Sequence, residues 1–306
     1  AHQGGGGMWG AHAAVARGAH GTFCRRHLLG APRPRGQGLR CFSRTARDRP
    51  QPMIVCLDLD ETLVRVSCNG VHKRVLDHVD FHINVNVGGE KDVQTFECAV
   101  AKRPGLDSFL DWLRDRVKAG LIESPWVFTT ATPAFSKALM KHLDPGGTLI
   151  GLRVLTRQYC EMPALPGFFL KDLSKIPPQT KPNYARKVLI DNSPISHVLN
   201  PGNAVLVRDY VANNPGDNEL ARVADMLDGV IQAHNDNFSG SAGEDGDYAS
   251  YLSRVPGHDQ FRERLQALHK TLTTPGPEEV NALRAALRAA SAECNDMKRE
   301  YLGAAP

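Results

Sequence analysis

Met53-Ile54-Val55-Cys56-Leu57-Asp58-Leu59-Asp60-Glu61-Thr62-Leu63-Val64 is the stretch that decides the fold. Five apolar residues end in two aspartates that flank one leucine, with a threonine two positions after the second. A short apolar run bounded by polar residues predicts a buried strand over residues 53–57. Side chains alternate along a strand, so Asp58 and Asp60 emerge on the same side at its carboxyl end. Open α/β sheets build their ligand sites at that end. Two carboxylates there are costly unless a cation, a phosphate or catalysis uses them.

Working outward, strands and helices alternate. Phe81, Ile83, Val85 and Val87 predict a strand, Gly88-Gly89-Glu90-Lys91 a turn, and Val93 to Val100 a returning strand. Leu106, Phe109, Leu110, Leu113 and Val117 share one helical face, between Pro104-Gly105 and Gly120. Trp126-Val127-Phe128, Val188-Leu189-Ile190 and Ala204 to Val207 predict further strands, and Pro133 to Leu143 a helix. Leu220, Val223, Met226, Leu227, Val230 and Ile231 stripe a closing helix. This alternation predicts a mostly parallel sheet with helices on both faces and a small β insert.

Three strands thus end in polar residues that can meet over one sheet edge: Asp58 and Asp60, Thr129 and Thr130, Asp191 and Asn192. Lys171 lies in a stretch, Phe168-Phe169-Leu170-Lys171-Asp172-Leu173, that would bury it. A carboxylate attacks a phosphate dianion only once that dianion is neutralised. A hard, oxygen-liking cation such as Mg²⁺ bridges the two. A lysine and hydroxyl donors hold phosphoryl oxygens as charge shifts. A second carboxyl, kept protonated, delivers a proton to the leaving oxygen and later activates water.

The ordered set Asp58-Leu59-Asp60-Glu61-Thr62-Leu63-Val64, Arg103-Pro104-Gly105-Leu106, Phe128-Thr129, Leu143-Asp144-Pro145, Lys171-Asp172-Leu173-Ser174 and Asp191-Asn192-Ser193-Pro194 resembles the carboxy-terminal-domain phosphatases. These are also called NLI-interacting-factor-like phosphatases, within the haloacid dehalogenase superfamily. Arg153, Arg157 and Cys160 are similar to that group's Arg-x3-Arg-x2-Cys segment. The resemblance covers residues 53–233 and implies a haloacid dehalogenase-like Rossmannoid fold. It also implies a Mg²⁺-dependent phosphatase acting on phosphoserine or phosphothreonine of proteins. In that scheme Asp58 is the nucleophile that becomes phosphoaspartate. Asp60 is the general acid and base, its backbone carbonyl also binding Mg²⁺. Thr129, preferred over Thr130, and Lys171 hold the phosphoryl group. Asp191 and Asn192 complete the metal site, Asn192 as direct ligand. Thr62 orders the loop. Arg103, Arg153 and Arg157 are candidates for binding substrate, with ion pairing or helix entry as their ordinary alternatives. Two other functions stand beside the phosphatase: a presequence-binding import receptor of the mitochondrial inner membrane, which uses the same domain, and a small-molecule phosphomonoesterase.

The bulk properties set the frame. Residues 1–50 hold nine arginines, no lysine and one acid, Asp48, a balance of +8; the other 256 residues carry −4 of the net +4. The basic balance belongs to the head, so it gives no reason to expect nucleic-acid binding. An Arg-rich, acid-poor head resembles an organellar transit peptide, with Met8 as a start and Arg40-Cys41-Phe42-Ser43 similar to a mitochondrial processing pattern. A mitochondrial setting is the expectation, with a disordered basic tail as the alternative reading and plastid, nucleus or cytoplasm as alternative settings. Seven cysteines without a CxxC suggest neither a disulfide framework nor a zinc site, and a reducing compartment is the simpler reading. No apolar run approaches the ~18 residues of a membrane span. The expected organisation is a head (1–50), a catalytic domain (51–234), a polar linker (235–247) and a helical extension (248–306). In the extension, Phe261, Leu265, Leu268 and Leu272 mark one helix, and Pro275-Gly276-Pro277 breaks it. A heptad-like stripe from Val280 to Tyr301 marks the second. A hairpin packed on its own domain is the preferred reading, and a helical partner bound through residues 278–302 the alternative.

Overall fold

The computed structural model describes residues 50–69, 74–88, 93–177, 184–212, 214–238, 247–274 and 280–303. The basic head, most of the polar linker and the Pro275-Gly276-Pro277 break lie outside these residues. The opening stretch forms β1 (Ile54–Leu57), every residue of it buried. After β1 come three antiparallel strands, β2 (Val64–Cys68), β3 (Phe81–Val87) and β4 (Gln94–Lys102), in spatial order β2-β4-β3. Helix α1 (Leu106–Lys118) follows, then β5 (Trp126–Phe128), α2 (Pro133–Leu143), β6 (Val154–Leu155), β7 (Lys187–Asp191), α3 (Pro194–His197), β8 (Ala204–Leu206) and α4 (Glu219–Asp236). The extension supplies α5 (Tyr248–Leu252), α6 (His258–Thr273) and α7 (Val280–Leu302).

The main sheet has the order β6-β5-β1-β7-β8, and all its pairs are parallel. Alternation along its strands feeds two cores. Val55, Leu57, Val127, Val188, Ile190 and Val205 pack with apolar residues of α1, α2 and α4. Ile54, Cys56, Phe128 and Leu189 face the other way, against Leu173 and Ile176. On that second face, Ala204 and Leu206 of β8 meet α3, α6 and α7. Helices therefore cover both faces, which is why the strands read as continuous apolar runs.

Four expectations are corrected. The insert has three strands, because Val64–Cys68 pairs with β4. Cys68 and Cys98 face each other in that register and form a disulfide, with Cα atoms 4.0 Å apart. A cysteine count carries no strand register, so the pairing was invisible to it, and the premise for a reducing compartment falls. The stripe of α7 is also not free for a partner. Ala290, Cys294 and Met297 are buried in one cluster with Phe261, Leu265, Leu268, Ile195 and Val198. The hairpin packs on its own domain, and Asn235 and Asp236, expected in the linker, are the last turn of α4.

Candidate active site

The parallel register pairs Leu57 with Val127 on one side and with Ile190 on the other. Asp58, Thr129 and Asp191 are thereby held at the carboxyl ends of three adjacent strands. The Asp58 amide donates to the Ile190 carbonyl (3.0 Å), and the Thr129 amide to the Leu155 carbonyl (2.9 Å). Past Asp58 the chain turns sharply. The amides of Leu63 and Val64 both donate to the Leu59 carbonyl (2.9 and 3.1 Å), and Glu61 sits in the left-handed region at φ 61°. That conformation costs a non-glycine residue about 1 kcal/mol or more. The Glu61 carboxylate offsets it by pairing with Arg74 (2.7 Å), and its carbonyl accepts from the Tyr210 amide (2.7 Å).

Lys171 enters from a separate loop. A bridge between Glu161 and Leu170 fixes the residue before it. Behind it, Lys187 donates to the carbonyls of Leu173 (2.9 Å) and Ile176 (2.6 Å), anchoring the turn that follows. The Lys171 ammonium is 1% exposed and donates to Asp58 Oδ1 and to Asp191 Oδ2, each at 2.5 Å. Two carboxylates raise the lysine pKa and hold it charged, although burial alone would lower it. Burial pushes Asp58 up to about 7; the Lys171 ammonium opposes the rise, and Asp191 and Asp60 add to it.

The Thr62 hydroxyl, fully buried, lies 3.1 Å from Asp58 Oδ2 and 3.1 Å from Asn192 Oδ1. The Thr62 hydroxyl thus sits between the Asp58 carboxylate and the Asn192 amide oxygen and holds the two side by side. Asp191 is committed elsewhere: Oδ2 to Lys171, and Oδ1 as acceptor from the Ser193 amide (2.8 Å). Among the described residues no three His, Cys, Asp or Glu side chains form a metal cage. A carboxylate and an amide oxygen are hard donors of the kind that Mg²⁺ takes, with water completing its shell.

Asp60 opens onto a cleft of about 550 Å³ between the small sheet and the start of α2. Val66, Val85, Val87, Phe96 and Phe135 make its apolar wall; Arg74 and Arg157 bring positive charge. Arg157 donates to the Thr130 carbonyl (2.6 Å) and lies over the Phe169 ring. Thr130 lines this cleft, whereas the Thr129 hydroxyl is buried and accepts from the Ala131 amide (3.1 Å). Thr132 caps α2 ahead of Pro133, so β5 turns into the helix within four residues.

Two of the three candidate arginines do not reach the cleft. Arg103 is buried, its guanidinium forked against Asp217 (2.9–3.1 Å) and donating to the Thr62 carbonyl (2.9 Å). Every nitrogen is used, so it braces the loop from behind. Arg153 lies before β6, at the sheet end away from Asp58, and donates to the Ile150 carbonyl. Sequence reasoning missed Arg74, Asp209 and Lys298; Arg74 alone carried a local cue, as a cation close to the first motif.

The parallel sheet, with its carboxylates and buried lysine at one edge, defines a haloacid dehalogenase-like α/β protein. Residues 53–238 match the family of NLI interacting factor-like phosphatases, and the chain belongs to that family. It is 30% identical to a probable C-terminal domain small phosphatase of Dictyostelium discoideum over 58% of this chain and 51% of that one. It is 28% identical to CTD nuclear envelope phosphatase 1B of Danio rerio, over 62% and 71%. Against the human carboxy-terminal domain RNA polymerase II polypeptide A small phosphatase 1 the identity is 31%, over 54% of each chain. The chain thus spans about half the length of two of these relatives. All three carry phosphatase names, none is named as an import receptor, and one is named for the nuclear envelope. The mitochondrial expectation gains no support from them, and the head on which it rests lies outside the described residues.

Proposed function

We propose that this protein is a Mg²⁺-dependent phosphatase of the aspartyl-phosphate type that removes phosphate from phosphoserine or phosphothreonine in a protein. The observation that carries the reading is the buried Lys171 ammonium held between Asp191 and Asp58, the latter two residues along the chain from Asp60, which lines an open cleft. Lys171 orients the Asp58 carboxylate and places positive charge where phosphoryl oxygens arrive. An Asp58 oxygen attacks phosphorus, and the bond from phosphorus to the serine or threonine oxygen breaks. Asp60, which faces the cleft, gives that oxygen its proton. Water then attacks the phosphoaspartate and returns a proton to Asp60; phosphate leaves and the Asp58 carboxylate is restored. Thr129, whose hydroxyl accepts from the Ala131 amide and keeps its own proton to donate, holds the phosphoryl group with Lys171, and Thr130 lines the adjoining cleft.

Asp58, the Asn192 amide oxygen and the Asp60 carbonyl are the groups we assign to Mg²⁺, with Asp191 acting through Lys171. The cation, when bound, neutralises phosphoryl charge that would repel Asp58. A protein substrate is favoured over a small phosphomonoester because the cleft is walled by a three-stranded sheet rather than enclosed, and carries an apolar wall beside two arginines. The names of the relatives point the same way, and favour a nuclear or cytoplasmic setting.

The test is hydrolysis of an aryl phosphate by the full chain, with and without Mg²⁺, beside Asp58→Asn. Mg²⁺-dependent turnover that falls at least about a thousandfold in the variant is expected. Inactivity of the unmutated chain across divalent ions would sink the enzyme reading. Phosphopeptides should outcompete sugar phosphates; the reverse order would return the small-molecule reading.

A further inference from the structure

Asn192 is a ligand with two faces. An amide must turn its oxygen, not its NH₂ group, toward a cation, and the two ends are almost the same size. What fixes the choice is the acceptor that takes the NH₂ group. In this chain the acceptor is Asp209. Asn192 Nδ2 donates to Asp209 Oδ1 at 2.7 Å, with Glu61 Oε2 more distant at 3.4 Å. The amide oxygen is thereby turned toward the Thr62 hydroxyl, 3.1 Å away, which lies 3.1 Å from Asp58 Oδ2 as well. Asp209 is itself held. Lys298 of α7 donates to the same Oδ1 at 2.6 Å, the ammonium 22% and the carboxylate 37% exposed. Next door, Arg208 donates to the Leu302 carbonyl (2.5 Å), tying the end of α7 to the same segment. The family match ends at residue 238, so α7 lies wholly outside it.

We propose that Asp209 and Lys298 are positioning residues for the metal ligand Asn192, so that Lys298, on the last helix of the extension, completes a site whose other members lie 89 or more residues earlier in the chain. Asp209 sets which end of the Asn192 amide faces the cation. Lys298 keeps the Asp209 carboxylate at that post and balances its charge. The inference rests on the assignment of Asn192 to the metal made above.

The test is direct binding of Mn²⁺ to the full chain, without substrate, followed by electron paramagnetic resonance. Asp209→Ala and Lys298→Met should each weaken binding about tenfold or more, in the range typical of groups that orient metal ligands. Lys298→Arg should restore most of the loss. Glu293→Ala removes a different tie between α7 and α6, the 2.9 Å bond from Arg264, and should leave Mn²⁺ affinity unchanged. If Glu293→Ala weakens binding as much as Lys298→Met, the effect is helix docking and the inference fails. If Asn192→Ala weakens binding but Asp209→Ala and Lys298→Met do not, the inference fails and the metal assignment stands. If Asn192→Ala leaves binding intact, the metal assignment itself falls.

Discussion

At the scale of single residues, burial decides what each charged group does. Arg103 and Lys171 are about equally buried, yet one braces a loop and the other faces the nucleophile, because their acceptors differ. His197 shows the same logic for a proton. It is fully buried in α3, its Nε2 is 3.3 Å from the Asp191 carbonyl, and its Nδ1 has no hydrogen-bond partner among the described residues. Burial lowers its pKa from 6.5 to about 4, against the pull of Asp191. The unfolded chain therefore binds a proton that the folded chain refuses, and stability falls as pH drops from 6.5 toward 4. The full contribution is present above the unfolded value and amounts to about 3 kcal/mol. Urea unfolding across that interval should show the loss, and His197→Gln should flatten it. An unchanged pH slope in the variant would show that other groups carry the effect.

At the scale of elements, the insert is held by a covalent tie as well as by its ladder. The disulfide joins β2 to β4 across a sequence separation of 30, and both cysteines line the cleft. Closing a loop of that length restricts the unfolded insert by roughly 3–4 kcal/mol in the chain-entropy view. Reduction should therefore speed hydrogen exchange in β2–β4 while leaving β1 and β7 protected. Equal protection with and without reductant would mean that the tie adds nothing. The elements also show what was legible beforehand. Strand β1 and helix α2 announce themselves locally, one by an apolar run ending in aspartates, the other by Thr132-Pro133 and a buried stripe. The carboxylates, Lys171 and Asn192 were legible because each follows or interrupts an apolar segment. The disulfide, the Arg103–Asp217 fork and the Lys298–Asp209 pair were not. Their partners are 30, 114 and 89 residues away, and no local pattern encodes such a meeting.

For the molecule as a whole, the extension is part of the core. Phe261, Leu265 and Leu268 cover Ile195, Val198, Ala204 and Leu206, His258 reaches the Ala204 carbonyl, and Tyr248 donates to the Gln51 carbonyl. A chain cut after residue 238, where the family match ends, uncovers that apolar face. Its melting temperature should fall by about 10 °C or more, as expected for a loss of several kcal/mol, and light scattering should report association. A monomer with an unchanged melting temperature would make the extension an independent module. The position of β1 has one more consequence, and it concerns time. The strand that carries Asp58 lies between β5 and β7, and both neighbours arrive through long crossovers. Such distant pairings close late, after local helices and hairpins have formed. During refolding, helix signal should therefore recover ahead of turnover, because no half-assembled intermediate has Asp58, Lys171 and Asp191 side by side.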